Sequence, residues 1–217
     1  MSLATLRRAR LRTFLASAAL LAGVGWAAPA AAQEDPWRLL AAVRERLAAE
    51  PRIADFVQTY TPAGFSSGES ESGTVAFDLP ERVRWDYTEP YPRSYLVDGG
   101  IVYAWSDGDE AGRRLALDSA EAQHLDLLRL DAAQLAQRYV AERATGATGS
   151  GVEVVLTPLA PGSEIAEARI AVGPELTLTS LSYSDREGNA TRFELSPTRR
   201  LDDPSRLVPP PLEWREP

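Results

Sequence analysis

The fold of this chain is decided by residues 75–87, which read VAFDLPERVRWDY. On either side of Leu79 and Pro80, apolar side chains occupy every second position. Because successive side chains of a strand point to opposite faces, this spacing predicts two strands that each have one apolar face. Proline lacks the backbone N–H that a sheet needs, so Pro80 and Glu81 mark the turn between the strands. The segment therefore predicts an antiparallel hairpin that buries one of its faces.

The same alternation continues outward from this hairpin. Upstream, Phe56 and Tyr60 share a face of another predicted strand, and downstream Tyr95 and Val97 do so in the next. Turns rich in glycine, proline and aspartate separate the later strands. These strands are predicted at residues 101–105, 115–117, 152–156, 168–172, 176–183 and 191–195.

Helices are predicted in two places. Residues 36–49 carry an apolar stripe that includes Leu40, Val43 and Leu47, and Asp35 before Pro36 is a good N-terminal cap. Residues 118–121 and 131–134 have the spacing of capping boxes, which predicts two further helices that end near residue 143.

Together these elements predict an α+β fold with about ten short antiparallel strands. A sheet of this size must curl or split. One face carries aromatic and branched side chains in nearly every strand, whereas the other is largely polar. We therefore expect a curled sheet whose apolar concave side is covered by the helices, followed by an extended, proline-rich tail over residues 202–217.

Composition excludes several classes of function. The chain has 217 residues with no cysteine and a single histidine, His124. Disulfides, thiol nucleophiles and metal sites with two histidines are therefore excluded, and we expect no metal and no cofactor. A formal net charge of −8 without any lysine argues against binding to nucleic acids or anionic membranes, which reward basic patches.

The first 32 residues differ from the rest. Four arginines precede an uncharged apolar stretch that ends in the small residues Ala30-Ala31-Ala32. This pattern is typical of a cleaved signal peptide at residues 1–32. Export without cysteine suggests a bacterial periplasm. Residues 33–217 are expected to form a single domain.

Two motifs suggest chemistry but lack its context. Residues 64–68 match Gly-x-Ser-x-Gly around Ser66, yet the hydrolase motif needs a strand–turn–helix setting, and only His124 could act as base. Asp107-Gly108-Asp109 resembles the start of a calcium loop, but the fifth position is Ala111 and strands flank it. We therefore expect a flexible loop, a hairpin tip and no catalytic residues.

Aromatic residues are dense between residues 56 and 105, and composition alone does not separate a filled core from a ligand cavity. The order and spacing of several short motifs give further information about the fold. Residues 55–60, DFVQTY, are followed by Gly73, the hairpin, Pro90, and then Asp98-Gly99 before another aromatic strand. This succession resembles the periplasmic lipoprotein carrier family LolA, over residues 36–212. Residues 206–210 also resemble that family's C-terminal strand.

The resemblance implies an incomplete, half-open antiparallel β-barrel of about ten to eleven strands, with helices as a lid over an apolar cavity. The lid residues are then Leu40, Val43 and Leu47. The cavity wall is formed by side chains from the first five strands: Phe56, Tyr60, Val75, Phe77, Leu79, Val83, Trp85, Tyr87, Tyr95, Tyr103 and Trp105.

The implied function is that of a monomeric periplasmic chaperone without enzymatic activity. It receives acylated lipoproteins from an inner-membrane ABC transporter and passes them to an outer-membrane acceptor. Two alternatives remain open: a divergent carrier of another lipid or glycolipid on the same fold, and a lipoprotein-sensing regulator.

One position departs from the family pattern. The family often has an arginine immediately before the proline of the hairpin turn, where it contributes to lid closure, and here that residue is Leu79. Arg82 and Arg84 are predicted on the face opposite Trp85. Either the lid is held differently in this chain, or the cargo is another lipid.

Overall fold

A computed structural model describes residues 35–117, 127–144 and 151–216 of the chain. Within these residues thirteen strands form one sheet, and two α-helices accompany it. The helices are α1 (Pro36–Ala48) and α2 (Ala132–Ala136). The strands are β1 (Arg52–Thr61), β2 (Glu69–Asp78), β3 (Arg82–Glu89), β4 (Arg93–Asp98), β5 (Ile101–Trp105), β6 (Ala111–Ala116), β7 (Tyr139–Arg143), β8 (Val152–Pro158), β9 (Ile165–Val172), β10 (Leu178–Asp185), β11 (Ala190–Leu195), β12 (Arg199–Arg200) and β13 (Glu213–Arg215).

The strand order is β13-β6-β5-β4-β3-β2-β1-β11-β10-β9-β8-β7, and β12 pairs with the start of β1. All neighbours are antiparallel except β13 and β6. Among the described residues, the terminal strands β13 and β7 do not pair with each other, so the sheet is open. A mostly stranded, unclosed sheet with few helices confirms the predicted fold class.

The hairpin predicted over residues 75–87 is formed by β2 and β3. Val75 lies opposite Trp85, and Phe77 lies opposite Val83. The ladder is irregular between Ser72 and Gly73, where a side chain on Gly73 would overlap the backbone carbonyl of Asp86. A glycine is therefore required where the second strand approaches the third.

Helix α1 forms where the sequence predicts it. The Asp35 carboxylate accepts a hydrogen bond from the Trp37 backbone N–H at 3.0 Å, and Pro36 occupies the first helical position. The buried stripe consists of Leu39, Leu40, Val43 and Leu47. This stripe packs onto the sheet and defines its inner face, which is the face that carries Phe56, Val75, Phe77, Val83 and Trp85.

The predicted mid-chain helical pair is correct only in part. Asp131 and Gln134 form the predicted capping box, with hydrogen bonds of 2.8 and 2.9 Å. The helix that they open ends at Ala136, however, and residues 139–143 form the strand β7 instead of a helix end. Pairing of β7 with β8 at the sheet edge outweighs the short helical signal. The other capping box, at residues 118–121, lies outside the described residues, as does His124.

The tail also differs from expectation. Residues 204–207 form a 3₁₀ turn, capped by the Asp203 carboxylate, instead of a strand over residues 206–210. Pro209 and Pro210 lack backbone donors, so a regular ladder is disfavoured there. The chain rejoins the sheet at β13, where Trp214 covers Gly112 of β6. A side chain on Gly112 would overlap the Trp214 ring.

The face opposite α1, here called the outer face, is not largely polar as predicted. It carries a second apolar cluster that the tail covers with Leu201, Leu207, Leu212 and Trp214. A buried carboxylate, Asp86, lies beside this cluster and accepts hydrogen bonds from Arg84 at 2.7 Å, Ser94 at 2.6 Å and Arg206 at 2.8 Å. Both faces of the central strands are therefore covered.

None of the helices in the described part of the chain is long and apolar enough to cross a membrane. The predicted signal peptide, residues 1–32, lies outside that part.

Candidate functional site

The inner face of the sheet builds one continuous apolar core. Its aromatic centre is contributed by β3, β1 and β11, of which β1 and β11 are adjacent in the sheet while β2 lies between β1 and β3. Phe56 lies between Trp85 and Tyr87, with ring centroids 5.0 Å apart in both pairs and edge-to-face geometry. Phe193 packs 4.8 Å from Trp85. Edge-to-face contacts are a favoured arrangement of buried rings, and the four rings together form what we call the aromatic floor of the sheet.

The cover of this floor consists of α1 together with residues 127–136. It contributes leucine and valine side chains to the same core: Leu39, Leu40, Val43, Leu47, Leu127, Leu130 and Leu135. The space between sheet and helices is therefore filled by the cover's own side chains in this state.

Polar contacts of the described residues add to the attachment of the cover. Arg129 donates a hydrogen bond to the Pro80 carbonyl in the β2–β3 turn at 3.2 Å. Arg44 of α1 donates to the Arg129 carbonyl at 3.2 Å, which joins the two parts of the cover. Arg46 of α1 lies 3.8 Å from the exposed carboxylate of Glu175. The cover is thus attached by the apolar packing of its leucine and valine side chains together with these polar contacts.

A small cavity of about 30 Å³ remains between the two parts of the cover and the sheet. Side chains of both cover segments line it together with Ile170 and Leu178 of the sheet. Arg44 also lines it, and the Arg44 Nε atom is buried without a hydrogen-bond partner. The cavity is thus apolar except for one guanidinium edge.

A larger, open cleft of about 1060 Å³ adjoins the cover on the side of β7 and β8. Its walls include Leu130, Gln134, Tyr139, Leu159 and Ile165. Its lining contains both apolar and polar side chains, and Leu130 belongs both to this cleft and to the small cavity.

Polar groups close one end of the aromatic floor. The Tyr87 hydroxyl donates to the Gln58 side chain at 2.5 Å, and the Arg93 guanidinium lies 4.0 Å over the Tyr87 ring. Both terminal nitrogens of Arg93 reach the Glu71 carboxylate at 2.7 Å. Burial raises the pKa of Tyr87 above its ordinary range, which keeps the phenol protonated. Burial also raises the pKa of Tyr183.

Most side chains that the sequence assigns to the cavity and the lid meet in the inner core. They are Phe56, Val75, Phe77, Leu79, Val83, Trp85 and Tyr87 from the sheet and Leu40, Val43 and Leu47 from α1, with Tyr95 packed against them. Leu79 is 7% exposed and belongs to this core.

Three predicted cavity residues lie elsewhere. Tyr60 is on the same face as Phe56 but lies near the end of β1, where 41% of it is exposed. Tyr103 and Trp105 are on the outer face, because Tyr103 pairs with Leu96 and Trp105 with Ser94, and directly opposed residues share a face. Their ring partner is Trp214 of the tail.

The later strands supply core residues that the prediction did not assign to the site. Besides Phe193, they include Val154, Leu156, Ile165, Ala168, Ile170, Leu178 and Leu181. Their alternation was visible in the sequence, but the pairing of β1 with β11, which joins the two halves of the sheet, was not.

The two motifs with apparent chemistry occupy turns. Ser66 lies in the exposed loop between β1 and β2, without a helix after it. In the β5–β6 turn, the Asp109 carboxylate accepts the Ser106 backbone N–H at 2.7 Å. Across residues 35–117, 127–144 and 151–216, no three acidic or histidine side chains cluster as metal ligands would.

Comparison with known proteins agrees with this architecture. The family model of the outer membrane lipoprotein carrier protein LolA matches residues 49–206. An outer-membrane lipoprotein carrier protein from Chromobacterium violaceum is 30% identical over 151 residues, which cover 68% of this chain and 69% of that protein. One from Cupriavidus necator is 28% identical over 124 residues, covering 56% of this chain and 57% of that protein. The chain thus spans little more than half of the Cupriavidus relative.

Solved structures share the fold at low sequence identity. An uncharacterized conserved protein from Thermus thermophilus gives a TM-score of 0.53 at 11% identity, covering 83% of this chain and 98% of that one. MucB gives a TM-score of 0.51 at 14% identity, covering 82% of this chain and 63% of that one. With the family model matched from the end of α1 to the 3₁₀ turn of the tail, the chain belongs to the LolA family of outer membrane lipoprotein carrier proteins.

Proposed function

We propose that this protein binds the acyl chains of lipoproteins between the inner face of the sheet and its cover, and carries them between membranes. The observation that carries the proposal is the shared core, in which the aromatic floor meets a separate cover through leucine and valine side chains. The family's carrier role and the names of the relatives support the same cargo.

The energetics favour this arrangement. Each acyl methylene left in water costs about 0.8 kcal/mol, so lipid-modified cargo needs an apolar shelter during transit. When acyl chains replace the cover's leucines against the floor, one set of apolar contacts is exchanged for another. The net free energy of loading is then small, which permits release at the acceptor.

The cover is held by a latch that differs from the family pattern. We infer that Arg129 replaces the arginine that is missing at position 79. Its guanidinium donates a hydrogen bond to the carbonyl of the next residue, Pro80, in the same turn. A single hydrogen bond to a charged donor contributes about 1.5–3 kcal/mol at most, so cargo binding is able to break it. The open cleft beside Leu130 and Ile165 offers a route for the chains.

We also propose a cellular location and binding partners for the protein. A cleaved signal peptide at residues 1–32 directs a single domain, residues 33–217, to the periplasm. There the monomer receives acylated lipoproteins from an inner-membrane ABC transporter and delivers them to an outer-membrane acceptor. The cycle breaks no covalent bond and needs no cofactor.

The test is native mass spectrometry with lipid extraction on the protein purified from the periplasm of its own host. A bound acylated lipoprotein is expected. Free glycolipid or fatty acid in its place would favour a carrier of another lipid on the same fold, and a bound signalling protein would favour a sensing role. Bare protein that also takes up no fluorescent apolar probe would overturn the proposal.

A further inference from the structure

Arg44 is a charged side chain in an apolar setting. It lies on the buried side of α1, between Val43 and Leu47 in the lining of the small cavity. Its Nη2 atom donates to the Arg129 carbonyl at 3.2 Å, while its Nε–H is buried without an acceptor. No ion pair among the described residues includes Arg44.

Arg52 shares the buried Nε but differs in its surroundings. Its Nε is also buried without a partner, but its guanidinium forms an ion pair with Glu50 at 2.9 Å, and it does not line the cavity. Within the described part of the chain, no carboxylate pairs with Arg44 in this way. A guanidinium stays charged at any pH a protein tolerates, and a buried N–H without an acceptor destabilises the folded state. A leucine at position 44 would match the cavity wall without that penalty.

We infer that Arg44 is the polar anchor of the acyl-binding site. Its Nε–H donates to the oxygen at the root of an acyl chain, which is the carbonyl of an ester or amide linkage or the carboxylate of a free fatty acid. This inference rests on the proposed function and specifies how the site recognises its ligand. The hydrocarbon then packs against the leucines and the aromatic floor. Its polar end meets Arg44, the only polar side chain among the described residues that line the cavity.

The experiment compares ligands that differ only in this oxygen. A synthetic diacylglyceryl-cysteine peptide with ester-linked chains, and its ether-linked analogue without carbonyls, are used to displace a fluorescent apolar probe. The native protein is expected to prefer the ester peptide by about tenfold, the range of a hydrogen bond to a charged donor. Arg44→Leu and Arg44→Met should lose that preference and bind the ether analogue unchanged. Arg38→Leu, an exposed arginine of the same helix, is the control and should behave as the native protein.

A second pair, dodecanoate and dodecanol, separates the two sources of the oxygen. Discrimination within this pair alone, lost in Arg44→Leu, assigns the anchor to free fatty acids. Thermal melting of the ligand-free variants distinguishes the anchor from a structural role. If Arg44 served only to stabilise the fold, Arg44→Leu would lower the melting temperature. As the anchor, Arg44→Leu should melt no lower than the native protein.

Equal binding of ester and ether, and of acid and alcohol, by the native protein would overturn the anchor while leaving the carrier function intact. Discrimination that survives in Arg44→Leu would do the same. Failure of the native protein to bind any of the four ligands would instead overturn the proposed function.

Discussion

At the scale of the residue, Tyr87 links the aromatic floor to its polar end. Its ring contacts Phe56, its hydroxyl donates to Gln58, and Arg93 lies over its face. Tyr87→Phe removes only the hydroxyl and leaves the Gln58 side chain without its donor. We expect the free energy of unfolding to fall by about 1 kcal/mol, the usual net value of a neutral hydrogen bond. Urea denaturation measures it, with Tyr60→Phe, an exposed tyrosine, as the control. An equal loss in both variants would contradict this account of Tyr87.

The same residue predicts how stability responds to alkali. Burial raises the pKa of Tyr87 in the folded state above the ordinary value of 10.0. At a pH between 10.0 and this raised pKa, the folded state therefore holds a proton that the unfolded state has lost. The stabilising contribution is therefore complete below about pH 10 and declines as the pH rises above it. Unfolding curves at increasing pH should show this decline, and it should be smaller in Tyr87→Phe. An identical pH dependence in the two proteins would show that Tyr87 is not the responsible group.

Arg129 carries the prediction for the latch. Arg129→Ala removes the hydrogen bond to the Pro80 carbonyl, so the cover should open more easily and the affinity for a fluorescent apolar probe should rise severalfold. Arg192→Ala, which removes an exposed arginine paired with Glu194, is the control and should bind the probe as the native protein does. An unchanged affinity in Arg129→Ala would mean that this hydrogen bond does not hold the cover closed.

At the scale of the element, the structure shows a role for the C-terminal tail that the sequence did not predict. Trp214 of β13 packs 4.8 Å from Tyr103 and covers Gly112 of β6. Trp214→Ala should lower the free energy of unfolding by about 2 kcal/mol, less than for a fully buried tryptophan because Trp214 is half-buried. Glu213→Ala, on the exposed neighbour, should change it little. Equal effects of the two substitutions in chemical denaturation would show that the tail does not support the outer face.

The elements also show what could be predicted from the sequence. Alternation in residues 75–87 was sufficient to place Val75, Phe77, Val83 and Trp85 on one face, and the caps at Asp35 and Asp131 located two helix starts. Both signals are local, since they depend on backbone geometry within a few residues.

Alternation did not fix which face of one strand matches which face of the next. Tyr103 and Trp105 were assigned to the inner face, but their pairing with Leu96 and Ser94 puts them outside. A register shift of one residue exchanges the two faces, and nothing within β5 specifies that register. The strand β7 was missed because its pairing with β8 is a tertiary contact that overrides a short helical signal.

At the scale of the whole molecule, one open sheet separates two apolar layers that are covered differently. The tail covers the outer layer and is tied to it by a strand and a buried network around Asp86. The cover of the inner layer is joined by side-chain packing together with polar contacts. We therefore expect the outer layer to provide stability and the inner layer to exchange ligands.

Two buried tryptophans on opposite faces allow a direct test of this assignment. Trp85 is 4% exposed on the inner face, and Trp105 is 8% exposed on the outer face. A photoreactive phenylalanine analogue is placed at either position, and the cells are irradiated before the protein is purified. We expect a covalent adduct with acylated lipoprotein from position 85 and none from position 105. Adducts from position 105 alone, or none from position 85 in a variant that melts like the native protein, would contradict it.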